Sequence, residues 1–167
     1  MYVPAMAIPD FVVALRKRIG HAPLWLSGAT AVIFDRDLIL LIRRAEDGEW
    51  SPVTGVVDPG EEPADTAVRE SMEEAGVVIE VERLASIGVT EPVTYPNGDV
   101  SQYIDHTFRC RYVSGEPRFD GEETTDVGWF ALDEMPEMLP LFTDRIRAAL
   151  AESGPAEFGG GRSPAGG

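Results

Sequence analysis

The chain has 167 residues, of which 44% are hydrophobic and 26% charged, and 29 acidic side chains against 14 Lys and Arg give a formal net charge of −15. That length favours one domain able to bury about 70% of its unfolded surface, and the composition is ordinary for a globular protein. Three things are argued against: a nucleic acid polymer as partner, for want of a basic stripe; a membrane span, since no run reaches ~20 apolar residues; and a secretion signal at the N-terminus.

In chain order, Pro9-Asp10 opens a short amphipathic helix over Phe11–Ile19, stopped at Gly20. Phe11, Val12, Leu15 and Ile19 would pack while Arg16, Lys17 and Arg18 crowd the polar side. The helix reads as a cap on the domain, a dimer contact or a substrate-side element. His21 follows the helix end and is expected to be exposed. Ala29–Phe34 and Leu38–Ile42 read as strands around an Asp35-Arg36-Asp37 turn, and Trp50-Ser51-Pro52 leads into a loop. Further on, Val77–Val81 and Leu84–Val89 are strand-like, and Tyr95-Pro96-Asn97-Gly98-Asp99 is a turn. Val100–Tyr112 is a long alternating strand, with another near Val127–Phe130. On the long strand His106 alternates in register with Ile104 and Phe108, so it reads as a packed, hydrogen-bonded histidine. Cys110, the one cysteine, precludes an internal disulfide, suits a reducing cytoplasm and reads as a small buried hydrophobe. A helix near Phe142–Ala151 closes the pattern. The Gly/Pro-rich stretch from Ser153 is expected to be disordered. Mixed strands with two principal helices give an α+β class.

The segment GVVDPGEEPADTAVRESMEEAGV, Gly55 to Val77, carries the most chemistry. Pro59-Gly60 makes a turn, and Pro63 suits a first helical turn, where its missing N–H is no loss. Glu61, Glu62 and Asp65 put negative charge at the helix N-terminus. At ~100° per residue, Ala64, Ala67, Val68, Ser71, Met72 and Ala75 fall on one arc, expected to face the core. Glu70, Glu73 and Glu74 fall on another, and Gly76 supplies the stop. Like charges at these spacings cost a helix only about 0.2–0.5 kcal/mol each, so a solvated acidic face is the plainer reading. Hard carboxylate oxygens of this kind also suit Mg2+ or Mn2+.

Gly55, Glu61 and the run Arg69-Glu70-Ser71-Met72-Glu73-Glu74-Ala75-Gly76-Val77 together resemble the Nudix box of the Nudix hydrolases, with the pattern's fixed positions filled. Two positions depart from it: Ser71 stands where an aliphatic residue is usual, and Val53-Thr54 stands where many members carry Pro-Gly. The resemblance implies a Nudix fold, a mixed β-sheet sandwiched between α-helices. The resemblance covers about Ala22 to Ala151, and the chain reads as an N-terminal helical extension (1–21), a Nudix hydrolase domain (22–152) and a disordered tail (153–167), with the extension and the tail outside the resemblance. The resemblance also implies Mg2+, with Mn2+ as a substitute, held by Glu70, Glu73 and Glu74 with the Gly55 carbonyl as a further ligand. Arg69 would orient the glutamates, with Glu61 and Gly76 structural. For the general base there are two candidates, Glu70 beside the metal and Glu123 in the Gly121-Glu122-Glu123 stretch, which also reads as a plain charged loop.

The implied reaction is metal-dependent hydrolysis of a diphosphate linkage in a nucleoside diphosphate-X substrate, by water attack on phosphorus. ADP-ribose or a nucleotide sugar is slightly favoured. The alternatives are a (d)NTP pyrophosphohydrolase for pool cleaning and a nucleotide-sensing domain without turnover. A roomy site with two subsites would favour the first reading, and a single base pocket the second. Pro92 and Tyr95 sit near the family's substrate markers without discriminating between them. Tyr95, Tyr103 or Trp50 could stack on a base, although aromatics beside strands more often pack. The expected partner is a small phosphorylated nucleotide, with neither nucleic acid polymer nor membrane, and a homodimer is one use for the N-terminal helix.

Overall fold

The structure, a computed structural model, describes residues 8–159. Its spine is β1 (Leu24–Asp35), buried without a break from Gly28 to Phe34. Such a run marks a strand with a layer on each face. Ala29, Ala31 and Ile33 enter one core while Val32 and Phe34 enter another. The chain turns through Arg36, in the left-handed region at φ 53°, into antiparallel β2 (Leu38–Arg44), whose Leu40 and Ile42 alternate with Ile39 and Leu41 between the same two cores.

The stretch expected as a loop holds two short strands. β3 (Trp50–Ser51) pairs with β2, and β4 (Val53–Val56) lies antiparallel to β1 from Gly28 to Ala31. Pro52, which lacks a ladder donor, separates them. Next comes α2 (Pro63–Ala75), which covers the first core through Ala67 and Ala75. It ends where Gly76 turns left-handed at φ 69°, its amide donating to Met72 O at 3.1 Å.

Beyond it, β5 (Val78–Val89) is one strand where two were expected. The register shifts between Val81 and Arg83 and between Leu84 and Ser86 carry it across the break in alternation. A two-residue β6 (Val93–Thr94) folds onto the start of β7 (Val100–Ser114) through the Tyr95–Asp99 turn. β7 runs parallel to β1 and antiparallel to β5. β8 (Thr124–Ala131) pairs with β2, and α3 (Pro140–Ala149) seals the second core with Phe142, Ile146, Ala148 and Ala149. Ahead of all these, α1 (Asp10–Ile19) is anchored by buried Val12 and by Arg16, which donates to Val100 O at 2.7 Å.

The principal strand order is β3-β2-β1-β7-β5, and the sheet is mixed, with α2 on one face and α3 on the other. This is the expected α+β arrangement. The region expected to be disordered from Ser153 is a correction in part. A short β9 (Glu157–Phe158) lies parallel to β5, and Glu157 meets Arg147 at 3.0 Å. Residues 1–7 and 160–167, and the expectations that fall on them, lie outside the described residues. Among the described residues no helix is long and apolar enough to cross a membrane.

Candidate active site

Helix α2 is rotated from the expected arc. Val68 and Met72, placed on the core face by periodicity, are 39% and 42% exposed, whereas Glu70 and Glu74 are buried beside Thr66, Ala67, Ser71 and Ala75. Small side chains at 67, 71 and 75 let the helix approach the sheet closely, which carries the neighbouring glutamates inward. Ser71, fully buried, donates to Ala67 O at 2.7 Å. Beneath the helix, a Cβ built on Gly55 would lie 2.2 Å from Glu70 Oε1. Only glycine leaves room there for the carboxylate against the β4 backbone.

Arg69 gathers the acids. Its Nε donates to Glu61 Oε1 at 2.9 Å and its Nη2 to Glu61 Oε2 at 3.0 Å, a two-point pair. Its Nη1 reaches Glu70 at 2.8 Å and Glu73 at 3.1 Å, and Nη2 also touches Val56 O at 3.3 Å. The Arg69 guanidinium, helped by Thr66 Oγ1 at 2.7 Å, holds the Glu61 carboxyl down at about 2. Glu61 therefore stays ionised and fixes the arginine that binds the other glutamates.

Glu70 and Glu74 behave in the opposite way. Burial pushes the Glu70 carboxyl up to about 7 against the pull of Arg69, with Glu73 and Glu123 adding repulsion. Glu74 is raised well above the carboxylate range by burial first, then by the charges of Glu70, Glu123 and Asp120. Its Oε2 is buried with no hydrogen-bond partner among the described residues. An orphaned buried carboxylate oxygen costs stability unless a positive group meets it.

Glu123 reaches the same place from the far side of the fold. Its loop is organised by Asp120, whose Oδ1 accepts from the amides of Glu122, Glu123 and Thr124 at 2.8–2.9 Å. The Glu123 carbonyl accepts from the Ala45 amide at 2.8 Å. Glu123, Glu70, Glu73, Arg69 and Asp58 line a cavity of about 360 Å3, closed on one side by Pro9, Asp10 and Phe11. Sequence reasoning missed Asp58 and left open which of three roles the residues opening α1 play. The first is one more acid among many in its loop, and the second depends on how α1 docks. Among the described residues no three acidic, His or Cys side chains converge in ligating geometry, because Arg69 draws Glu70 and Glu73 to itself.

His106, Trp50 and Cys110 resolve into packing, and His21 and the tyrosine pair into polar contacts. His106 Nδ1 lies 3.1 Å from Gly28 O, and His21 is exposed and 2.7 Å from Asp99. Trp50 packs edge-on to Phe130 at 5.1 Å between centroids. Cys110 is buried and its thiol is pushed up by burial. Tyr95 and Tyr103 join through their hydroxyls at 2.7 Å in a second cavity of about 180 Å3, which shares Pro9 and Val56 with the acidic one.

A mixed sheet between two helices brings Glu70, Glu73 and Glu123 to one cavity, with buried Glu74 close behind. The NUDIX domain matches residues 25–151. A MutT-like protein from Streptomyces ambofaciens is 32% identical over 131 residues, covering 78% of this chain and 79% of that one. NAD-capped RNA hydrolase NudC from Pectobacterium carotovorum subsp. carotovorum is 31% identical over 114 residues, covering 62% of this chain but 41% of the relative. The solved structure of an ADP-ribose pyrophosphatase from Streptococcus suis 89-1591 matches with a TM-score of 0.63 at 27% identity, covering 80% of this chain and 96% of that one. The chain belongs to the Nudix hydrolase family and is a pyrophosphohydrolase.

Proposed function

We propose that this enzyme hydrolyses the diphosphate linkage of a nucleoside diphosphate-X substrate, of ADP-ribose or nucleotide-sugar type, with Mg2+. The observation that carries this reading is the pair of adjoining cavities, one acidic and one largely apolar, which share Pro9 and Val56. A substrate whose base enters the apolar cavity while its diphosphate meets the acidic one uses both compartments. The ADP-ribose pyrophosphatase among the structural relatives agrees in class.

The residues fit a hard divalent ion. Glu74 Oε2 is buried and unpartnered, Glu70 is raised by burial and like charge, and the Gly55 cradle admits a carboxylate against a backbone carbonyl. Glu70, Glu73, Glu74 and the Gly55 carbonyl would hold it. When bound, such an ion neutralises phosphate oxygens and lowers the pKa of water. Arg69, fixed by Glu61, keeps Glu70 and Glu73 at the cavity wall. Glu123 orients and deprotonates the attacking water, since it faces the cavity from β8's side while Glu70 is engaged by Arg69 at 2.8 Å.

A turnover panel with Mg2+, spanning ADP-ribose, nucleotide sugars, dinucleoside polyphosphates and (d)NTPs with products identified by mass, tests this. A nucleoside monophosphate plus a phosphorylated partner is expected, and is lost in Glu73→Gln and Glu74→Gln. Pyrophosphate released from a (d)NTP as the dominant reaction would overturn it.

A further inference from the structure

The cavity of about 180 Å3 has no α2 residue in its lining. One wall is α1 and the residues opening it, through Pro9 and Val12; the other is the β6–β7 turn and the start of β7, through Tyr95 and Tyr103. Helix α1 lies ahead of the family match at residues 25–151. Polar ties lock the two walls together. Arg16 donates to Val100 O at 2.7 Å and Ser101 Oγ at 3.1 Å and pairs with Asp99 at 3.5 Å, while His21 meets Asp99 at 2.7 Å. Helix α1 is therefore part of the cavity's construction.

Its lining is mostly apolar and aromatic, with a few polar groups. The Tyr95 and Tyr103 hydroxyls share one hydrogen bond, which leaves one O–H of the pair to donate elsewhere. Burial and that pairing push the Tyr95 phenol up, so Tyr95 keeps its proton. Glu46 lines the same cavity, its carboxyl raised by burial against the pull of Arg44, and among the described residues no hydrogen-bond donor satisfies it. A half-buried carboxylate in this setting gains by meeting an N–H group and loses by meeting a carbonyl oxygen.

We propose that this cavity receives the nucleobase of the substrate, with Tyr95 against the ring face and Glu46 accepting a hydrogen bond from an exocyclic amino group. The inference rests on the nucleotide reading above and adds a selectivity to it: amino-bearing bases such as adenine are preferred to uracil. Because Pro9 and Val56 border both cavities, a base held here directs its diphosphate toward Glu70 and Glu73. The helix outside the family domain is thereby a specificity element.

Calorimetric titration of the full chain with AMP, UMP and ribose phosphate, for wild type, Glu46→Gln, Tyr95→Leu and Tyr103→Phe, tests this without turnover. AMP is expected to bind about tenfold more tightly than UMP, as a charge-assisted hydrogen bond allows. Glu46→Gln should bring the two within about twofold of each other, since an amide serves either edge. Tyr95→Leu should weaken both by about tenfold through lost stacking, and Tyr103→Phe should weaken AMP less. Thermal unfolding identifies any variant that fails to fold, and Glu46→Gln alone is then sufficient. Equal AMP and UMP affinity in wild type, or a ratio unchanged in folded Glu46→Gln, would overturn the proposal. An intact ratio, collapsed in Glu46→Gln, beside no diphosphate hydrolysis would support the base site and overturn the hydrolytic reading.

Discussion

Glu70 shows how the site trades stability for chemistry. Burial pushes its carboxyl up to about 7, from the usual 4.5. A raised acid takes up a proton on folding, so its ionisation opposes folding increasingly as pH rises from about 4.5 to about 7, and fully above that. That interval corresponds to on the order of 3 kcal/mol at ~1.4 kcal/mol per pH unit. Glu70→Gln should therefore raise the melting temperature of metal-free protein at pH 8, with the gain vanishing near pH 4, while turnover collapses. Thermal melts in chelator across this range measure it, and a gain that grows toward low pH would contradict the assignment. Gly55 supplies the complementary case. A methyl there strikes the Glu70 carboxylate at 2.2 Å, but Gly55 lies in an ordinary strand and the obstructed group is the end of a side chain. Gly55→Ala should thus lower kcat about 100-fold by displacing Glu70 and shift the melting temperature by only a few degrees. Loss of folding in circular dichroism would show that the cradle supports β4 as well.

Strand β7 and helix α3 are legible from apolar periodicity, and β1 and β2 from unbroken apolar runs, each bounded by turn residues. Helix α1 is legible as a helix but not in its packing face, for Leu15 and Ile19 are exposed while Arg16 turns inward to β7. The short β3 and β4 were not legible, since two and four residues give no period, and their pairing is decided by β2 and β1. The acidic helix itself was legible but its rotation was not. Counting hydrophobes put Val68 and Met72 inward, while close approach through Ala67, Ser71 and Ala75 turns Glu70 and Glu74 inward instead. Glu123 could be named but its meeting with α2 could not be derived, for the Asp120-centred turn that delivers it depends on geometry some fifty residues from the box. Although the family favours an aliphatic residue at its position, Ser71 is fully buried against a sheet already in contact. Ser71→Leu should overpack the interface and destabilise by about 1–3 kcal/mol, whereas Ser71→Ala, losing one bond to Ala67 O, should stay within ~1 kcal/mol of wild type. Urea denaturation midpoints separate the two, and a stabilised Ser71→Leu would mean that the helix rides higher on the sheet.

At the scale of the whole molecule the net charge of −15 confronts an anionic substrate. An acidic cavity at the end of α2 can accept phosphate only where positive charge intervenes, and within the described site Arg69 is already committed to Glu61, Glu70 and Glu73. Beyond the site, the remaining acidic surface acts on the approaching substrate over the Debye length, ~30 Å at 0.01 M salt and ~10 Å at 0.1 M. Long-range repulsion slows association, and screening relieves it. With Mg2+ held saturating, kcat/KM should therefore rise between those two salt concentrations, by roughly twofold or more, while kcat stays level. Most enzymes steered toward anionic substrates by basic surfaces show the reverse slope. A fall in kcat/KM with salt would mean that the local field at the cavity mouth is positive despite the overall balance. Arg16 and Arg44, at and beside the Glu46 and Tyr95 walls, would then be the groups to neutralise first. A rise would assign recognition to the bound cation and the base cavity, with the global charge acting only as a barrier to encounter.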